Sequence, residues 1–123
     1  MPFQSRLEDG MLRLSFLGAV TNHDLVRLLD EITRLEAACS VIPDRLVDMR
    51  QVDRLEIDVT GVLGLADARR RRTFPNSFKT AIIATEPVHF GFARMFQTLN
   101  DHAQIAVSIF ADDADALRWL TSG

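Results

Sequence analysis

A chain of 123 residues is the size of one domain, and a balance of 47% hydrophobic to 25% charged residues belongs to a folded globular protein and excludes wholesale disorder. A formal net charge of −3, with 14 basic residues spread along the chain, excludes the domain-wide basic excess of a dedicated nucleic-acid binder. The single cysteine, Cys39, excludes an intrachain disulfide; with no apolar signal core in "MPFQSRLEDG" and no run of about 18 apolar residues, a cytoplasmic protein is expected.

The chain opens with two strand-like segments, 3–7 and 11–17, around "EDG". In "MLRLSFL" the residues Leu12, Leu14 and Phe16 share one face, and Asp9-Gly10 favours a tight turn, so an antiparallel pair is expected. "TNHDLVRLLDEITRLEAA" places Leu25, Leu28, Leu29, Ile32 and Leu35 at helical spacing, and Thr21 followed three residues later by Asp24 reads as a capping box. "RLVDM", 45–49, is a short apolar strand. A second helix is expected from about Val59 to Arg71, with Val62, Leu65 and Ala66 facing inward.

"FKTAIIA", 78–84, is the most strand-like segment. A third helix starts at Pro87, with Val88, Phe92, Met95, Phe96 and Leu99 on one stripe, and "IAVSIF" at 105–110 is the last strand. Asp112 or Asp113 caps a final helix ending in Leu117, Trp119 and Leu120. Strands alternating with single helices require crossovers, which make neighbouring strands parallel. The expected fold is therefore α/β: a single domain, 1–123, with a five-stranded mixed sheet, antiparallel only in its first pair, and four helices.

Four stretches in this order, "FLGAVTNHDLVRLL", "RLVDMRQV", "KTAIIAT" with "FARMFQ", and "VSIFADDADALRWL", resemble the STAS domain family, and more closely its SpoIIAA-like branch of small single-domain bacterial proteins. The resemblance covers nearly the whole chain. It implies a regulatory module, and in the antagonists of anti-sigma factors within that family the loop before the second helix reads Asp, Ser, Ser or Thr, Gly, with the hydroxyl after the Asp phosphorylated. Asp58, Thr60 and Gly61 match that loop, and Val59, which has no hydroxyl, stands at the acceptor position. Thr60 is then the alternative acceptor, at a helix start that suits phosphate. Without phosphorylation, Asp58 is a helix cap and Thr60 a first-turn residue.

The SpoIIAA-like branch also resembles the CRAL-TRIO lipid-binding fold in topology, which implies an apolar or anionic ligand or peripheral membrane contact. Against that background the residues Arg69, Arg70, Arg71 and Arg72 are either a solvated helix end favoured by the helix dipole or an anion-facing cluster. Phe90 lies opposite the apolar stripe of the third helix and is expected at the surface. Phe74, beside the arginines, is expected there too, so that the two features could form one amphipathic contact surface.

No catalytic set is apparent: the histidines 23, 89 and 102 lack metal-ligand spacing, Cys39 lacks a neighbouring base, and Gly61 and Gly64 do not make a phosphate loop. Asp48 ends a strand, but the acidic pair of a phosphotransfer receiver is missing after the first parallel strand. The expectation is a non-enzymatic regulatory or ligand-binding module without cofactor or metal. Its partner is an unidentified protein or a small apolar or anionic ligand, with homodimerisation open. A phosphorylation-controlled anti-sigma antagonist is the alternative, and a small hydrolase or transferase is disfavoured.

Overall fold

Strand and helix alternate from the second strand onward, as the hydrophobic periodicity requires. In the computed structural model, which describes residues 2–122, the elements run β1 (Phe3–Glu8), β2 (Met11–Thr21), α1 (Asn22–Ala37), β3 (Arg45–Glu56), α2 (Val59–Arg70), β4 (Phe78–Ile83), α3 (Pro87–Leu99), β5 (Ile105–Phe110) and α4 (Asp113–Thr121). The sheet has the sequential order β1-β2-β3-β4-β5; only β1 and β2 are antiparallel. The hairpin turns at Asp9 and Gly10, both at positive φ (53° and 74°), the left-handed pair that an Asp-Gly turn supplies.

Crossovers of one hand that advance strand by strand put their helices on one face of a sheet. Accordingly α1, α2 and α3 pack side by side over one face, while α4, which follows the edge strand, folds back onto β4 on the other. Alternation along the strands feeds both layers. Leu14, Phe16, Met49 and Ile82 join Leu25, Leu28, Ile32 and Ala93 on the three-helix side, and Leu46, Ala81 and Ile83 join Ala116 and Leu120 beneath α4.

The helix starts follow the expected caps. Thr21 and Asp24 form the reciprocal capping box of α1, Asp58 accepts from the Gly61 N–H at the start of α2, and Asp112 accepts from the Asp115 N–H at the start of α4. β3 departs from expectation: it runs to Glu56, seven residues beyond the apolar segment 45–49. Beyond Asp48 it has lost β4 as a partner and pairs only with β2, through two register shifts, as far as Thr21 opposite Glu56. Val52 stays buried on that ribbon while Gln51, Asp53 and Arg54 face solvent, so the segment reads as polar although it is a strand. The same extension brings the strand to within two residues of Asp58.

Candidate functional site

The sheet and α1–α3 enclose a cavity of about 110 Å³. Leu14 and Phe16 of β2, Leu25, Leu28 and Ile32 of α1, Val62 and Leu65 of α2, Ile82 of β4, and Phe92, Ala93 and Phe96 of α3 line it. These side chains are inward because each lies on the stripe or strand face that its element buries. At one end the lining changes to Arg45, Arg69, Thr80 and Asn100, beside Phe78 and Ile105. Register places this end: Arg45 lies opposite Thr80 and Phe78 opposite Ile105, so the polar groups gather at the amino ends of β3, β4 and β5. Asn100, the C-cap of α3, is delivered there by the helix end that precedes β5.

Behind this polar end lies an ion cluster. Glu36, in the last turn of α1, is 3% exposed. Arg69 grips it with both Nη atoms, Nη1 to Oε1 and Nη2 to Oε2, each at 2.8 Å; Arg72 Nη1 donates to Oε1 at 2.8 Å, and Arg45 Nη1 lies 2.8 Å from Oε2. Both carboxylate oxygens are therefore doubly engaged, and three guanidinium cations face one anion. Arg45 and Arg69 are as buried as Glu36, at 3% and 5%. Aromatic faces take part of the excess charge: Arg45 stands 4.3 Å from the Phe78 ring centre, and Arg69 and Arg72 each 4.9 Å from that of Phe74.

Burial by itself would raise the Glu36 pKa, but the hydrogen bonds from Arg69 and the charges of Arg45 and Arg69 outweigh it and hold the carboxyl below its ordinary value. Burial pushes Arg45 down to about 10, against the opposing pull of Glu36, so it is charged at neutral pH. Three polar atoms at this end have no hydrogen-bond partner among the described residues: Arg45 Nε and both amide atoms of Asn100. Leaving a buried polar atom unpaired costs about 1–3 kcal/mol.

The arginine run resolves residue by residue. Arg69 points into the core and Arg72 reaches Glu36 while half exposed; Arg70 is exposed and pairs with Asp67, and Arg71 is exposed. The expected solvated end thus describes only Arg70 and Arg71. The expectation for Phe74 is corrected more fully: it is 4% exposed, meets Phe78 edge to face at 5.0 Å between ring centres, and lies under Arg69 and Arg72. Gln104 holds the Phe74 backbone by two hydrogen bonds and so fixes the ring beneath the guanidiniums. Phe90 is at the surface, 46% exposed, but it starts α3 at the carboxyl end of β4, whereas Arg70–Arg72 close α2 at the amino end of β4. The arginines and the exposed aromatic therefore lie at opposite ends of the strands and do not form one surface.

At the loop before α2, Asp58 receives hydrogen bonds from Asn22 Nδ2 (3.0 Å) and the Gly61 N–H (3.1 Å), which hold its carboxyl below the usual range. Asn22 Oδ1 in turn accepts from the Asp58 N–H. Val59 and Thr60 are exposed in the first turn of α2. Gly61 has a local reason: a Cβ there would stand 2.0 Å from Asn22 Oδ1. Glu36 and Arg45 escape a reading of the sequence, although each occupies an inward position. Glu36 continues the α1 stripe of Leu25, Leu28 and Ile32, and Arg45 precedes Val47 and Met49 on the inward face of β3.

A wider groove of about 790 Å³ lies between β1, β2 and α1; at its edges Arg6 and Arg13 both pair with Glu8, and Arg34 with Glu31. No helix among the described residues is long and apolar enough to cross a membrane.

Comparison with known proteins places the fold. No family model matches the sequence, and no curated protein matches it. Among solved structures, an uncharacterized protein of the DUF3478 family from Shewanella loihica, with a SpoIIAA-like fold, superimposes with a TM-score of 0.62 at 18% identity, over 96% of this chain and 91% of that one. The chain has a SpoIIAA-like fold, as the four sequence stretches imply.

Proposed function

We propose that this chain is a non-enzymatic ligand-binding module that takes a small, largely apolar molecule into the cavity between the sheet and α1–α3. The observation that carries the reading is the cavity itself, lined by aliphatic and aromatic side chains from seven elements and closed at one end by a few convergent polar groups. Those polar groups suit binding better than chemistry: a guanidinium stays protonated at neutral pH and cannot take a proton, and an amide is neither acid nor base. The SpoIIAA-like fold fits a regulatory role in which ligand occupancy is read by another molecule.

The test is an NMR titration of the methyl-labelled protein with cyclopropane and with propan-1-ol. Saturable shifts confined to Leu28, Val62, Ile82 and their neighbours, lost when Ala93→Leu fills the cavity, support the reading. Shifts that are absent, or scattered over the surface, count against it.

A second reading rests on a different observation. Val59 and Leu63 at the start of α2, and Val88 and Phe90 at the start of α3, are apolar and exposed. Both helix starts follow the carboxyl ends of neighbouring strands, so this end of the domain suits a membrane or protein contact. Vesicle sedimentation of the protein and of Val88→Ser/Phe90→Ser tests it: binding that the double substitution does not weaken would sink this reading.

A further inference from the structure

From the polar end of the cavity we infer the class of ligand: a short-chain carboxylate, seated with its carboxylate between Arg45 and Asn100 and its hydrocarbon against α1 and α3. This inference rests on the cavity reading above and adds the ligand's charge, size and orientation.

Charge is the first argument. Among the described residues Glu36 is the only carboxylate in contact with the buried guanidiniums of Arg45 and Arg69, and its two oxygens are filled by donors from Arg45, Arg69 and Arg72. No acceptor capacity is left on it for Arg45 Nε, which is buried, belongs to a residue that lines the cavity end and has no partner among the described residues. A cluster of three cations on one anion, with an N–H left over, matches a second anion.

Geometry supplies the next argument. Asn100 is 6% exposed, lines the same cavity and has both amide atoms unpartnered among the described residues, so its Nδ2 is a second unpaired donor in that lining. Two single donors, one on a guanidinium edge and one on an amide, match the two oxygens of a planar carboxylate. A phosphate or sulfate group would bring further oxygens to an end where Arg69 is committed to Glu36 and the Thr80 hydroxyl is the one other polar group in the lining, so most of them would go unpaired. Asn100 Oδ1 can accept from a hydroxyl on the same ligand, so short hydroxy acids fall within the class.

Size closes the argument. An apolar cavity of about 150 Å³ holds the six heavy atoms of benzene, so 110 Å³ takes a ligand of about four to five heavy atoms, a carboxylate carrying about two carbons of chain. Longer acyl chains do not fit.

The experiment compares propanoate, propan-1-ol and propan-1-amine by calorimetry and methyl NMR, at 0.05 and 0.5 M salt. The expected result is that the acid binds at least tenfold tighter than the alcohol, that the amine gives no saturable shift, and that the preference survives high salt because the site is buried. In Asn100→Leu, which keeps the size of the side chain and leaves the Glu36 cluster intact, the acid's advantage falls at least threefold. Arg45→Met removes the advantage where that variant folds; the wild-type ranking and Asn100→Leu decide the matter where it does not. Equal binding of acid and alcohol in the cavity would overturn the inference and leave the cavity reading standing. No binding by any of the three would overturn both. An acid preference that disappears at 0.5 M salt, with no methyl shifts in the cavity lining, would assign the effect to the surface and overturn the inference.

Discussion

Glu36→Gln isolates the charge that holds three arginine side chains together, those of Arg45 on β3, Arg69 on α2 and Arg72 just beyond it. The substitution keeps the volume of the side chain but removes the only anion among the described residues in contact with the buried guanidiniums, and it turns an NH₂ group toward donors that need an acceptor. Four contacts of 2.8 Å depend on that carboxylate. Removing one partner of a buried, hydrogen-bonded ion pair costs about 3–5 kcal/mol, because the charge left behind stays desolvated. An unfolding entropy of about 2.1 cal/mol/K per residue, taken over 123 residues, converts this to a fall in Tm of about 12–20 °C.

The assay is urea and thermal denaturation followed by Trp119 fluorescence and circular dichroism. Glu31→Gln, which breaks an exposed pair with Arg34, serves as the control and should change stability by less than about 0.5 kcal/mol. The sign of the pH dependence follows from the lowered pKa of Glu36. Its stabilisation is fully present above the unfolded value near 4.5 and is lost as pH falls through the lower folded value, so the gap between wild type and Glu36→Gln should close in acid. A loss under about 1 kcal/mol at neutral pH, or a gap that is independent of pH, would refute the reasoning.

The remaining predictions concern the scaffold that delivers the site. Thr21→Ala, which removes the hydroxyl half of the α1 capping box, should cost about 1 kcal/mol by urea titration without changing the m-value. Gly61→Ala should be close to neutral in the wild type, because helix propensity gains about 1 kcal/mol while the new Cβ drives Asn22 off Asp58. In an Asn22→Ala background the same change should stabilise, and a double-mutant cycle reads the coupling. Leu46→Ala, in the layer under α4 and 1% exposed, should cost about 2–5 kcal/mol. Leu7→Ala, on the exposed side of the edge strand, should cost under about 0.5 kcal/mol in the same assay.

Local chemistry determined most of the fold. Thr21-Asp24, Asp58 and Asp112 mark three helix starts because an unpaired first-turn N–H needs an acceptor, and that need is met within three residues along the chain. Alternation in "MLRLSFL" and the strand-helix order then require a mixed sheet with parallel crossovers, because single helices cannot join antiparallel neighbours. The exposed Phe90 is likewise a consequence of helical period alone.

Tertiary structure decided the rest, for a physical reason that runs through each case. A charged side chain looks the same in the sequence whether water or another charge solvates it. Arg69 and Arg70 are neighbours of one residue type; a rotation of 100° sends one to Glu36 in the core and the other to Asp67 at the surface. Phe74 lies in a polar loop and is buried because Gln104, 30 residues away, fixes its backbone. Glu36, Arg45 and Asn100 each sit where an apolar residue is expected at the end of a stripe, strand or helix. Those positions are legible one at a time, but the meeting of α1, β3, α2 and the end of α3 around one cavity exists only once the sheet has brought the amino ends of its strands together.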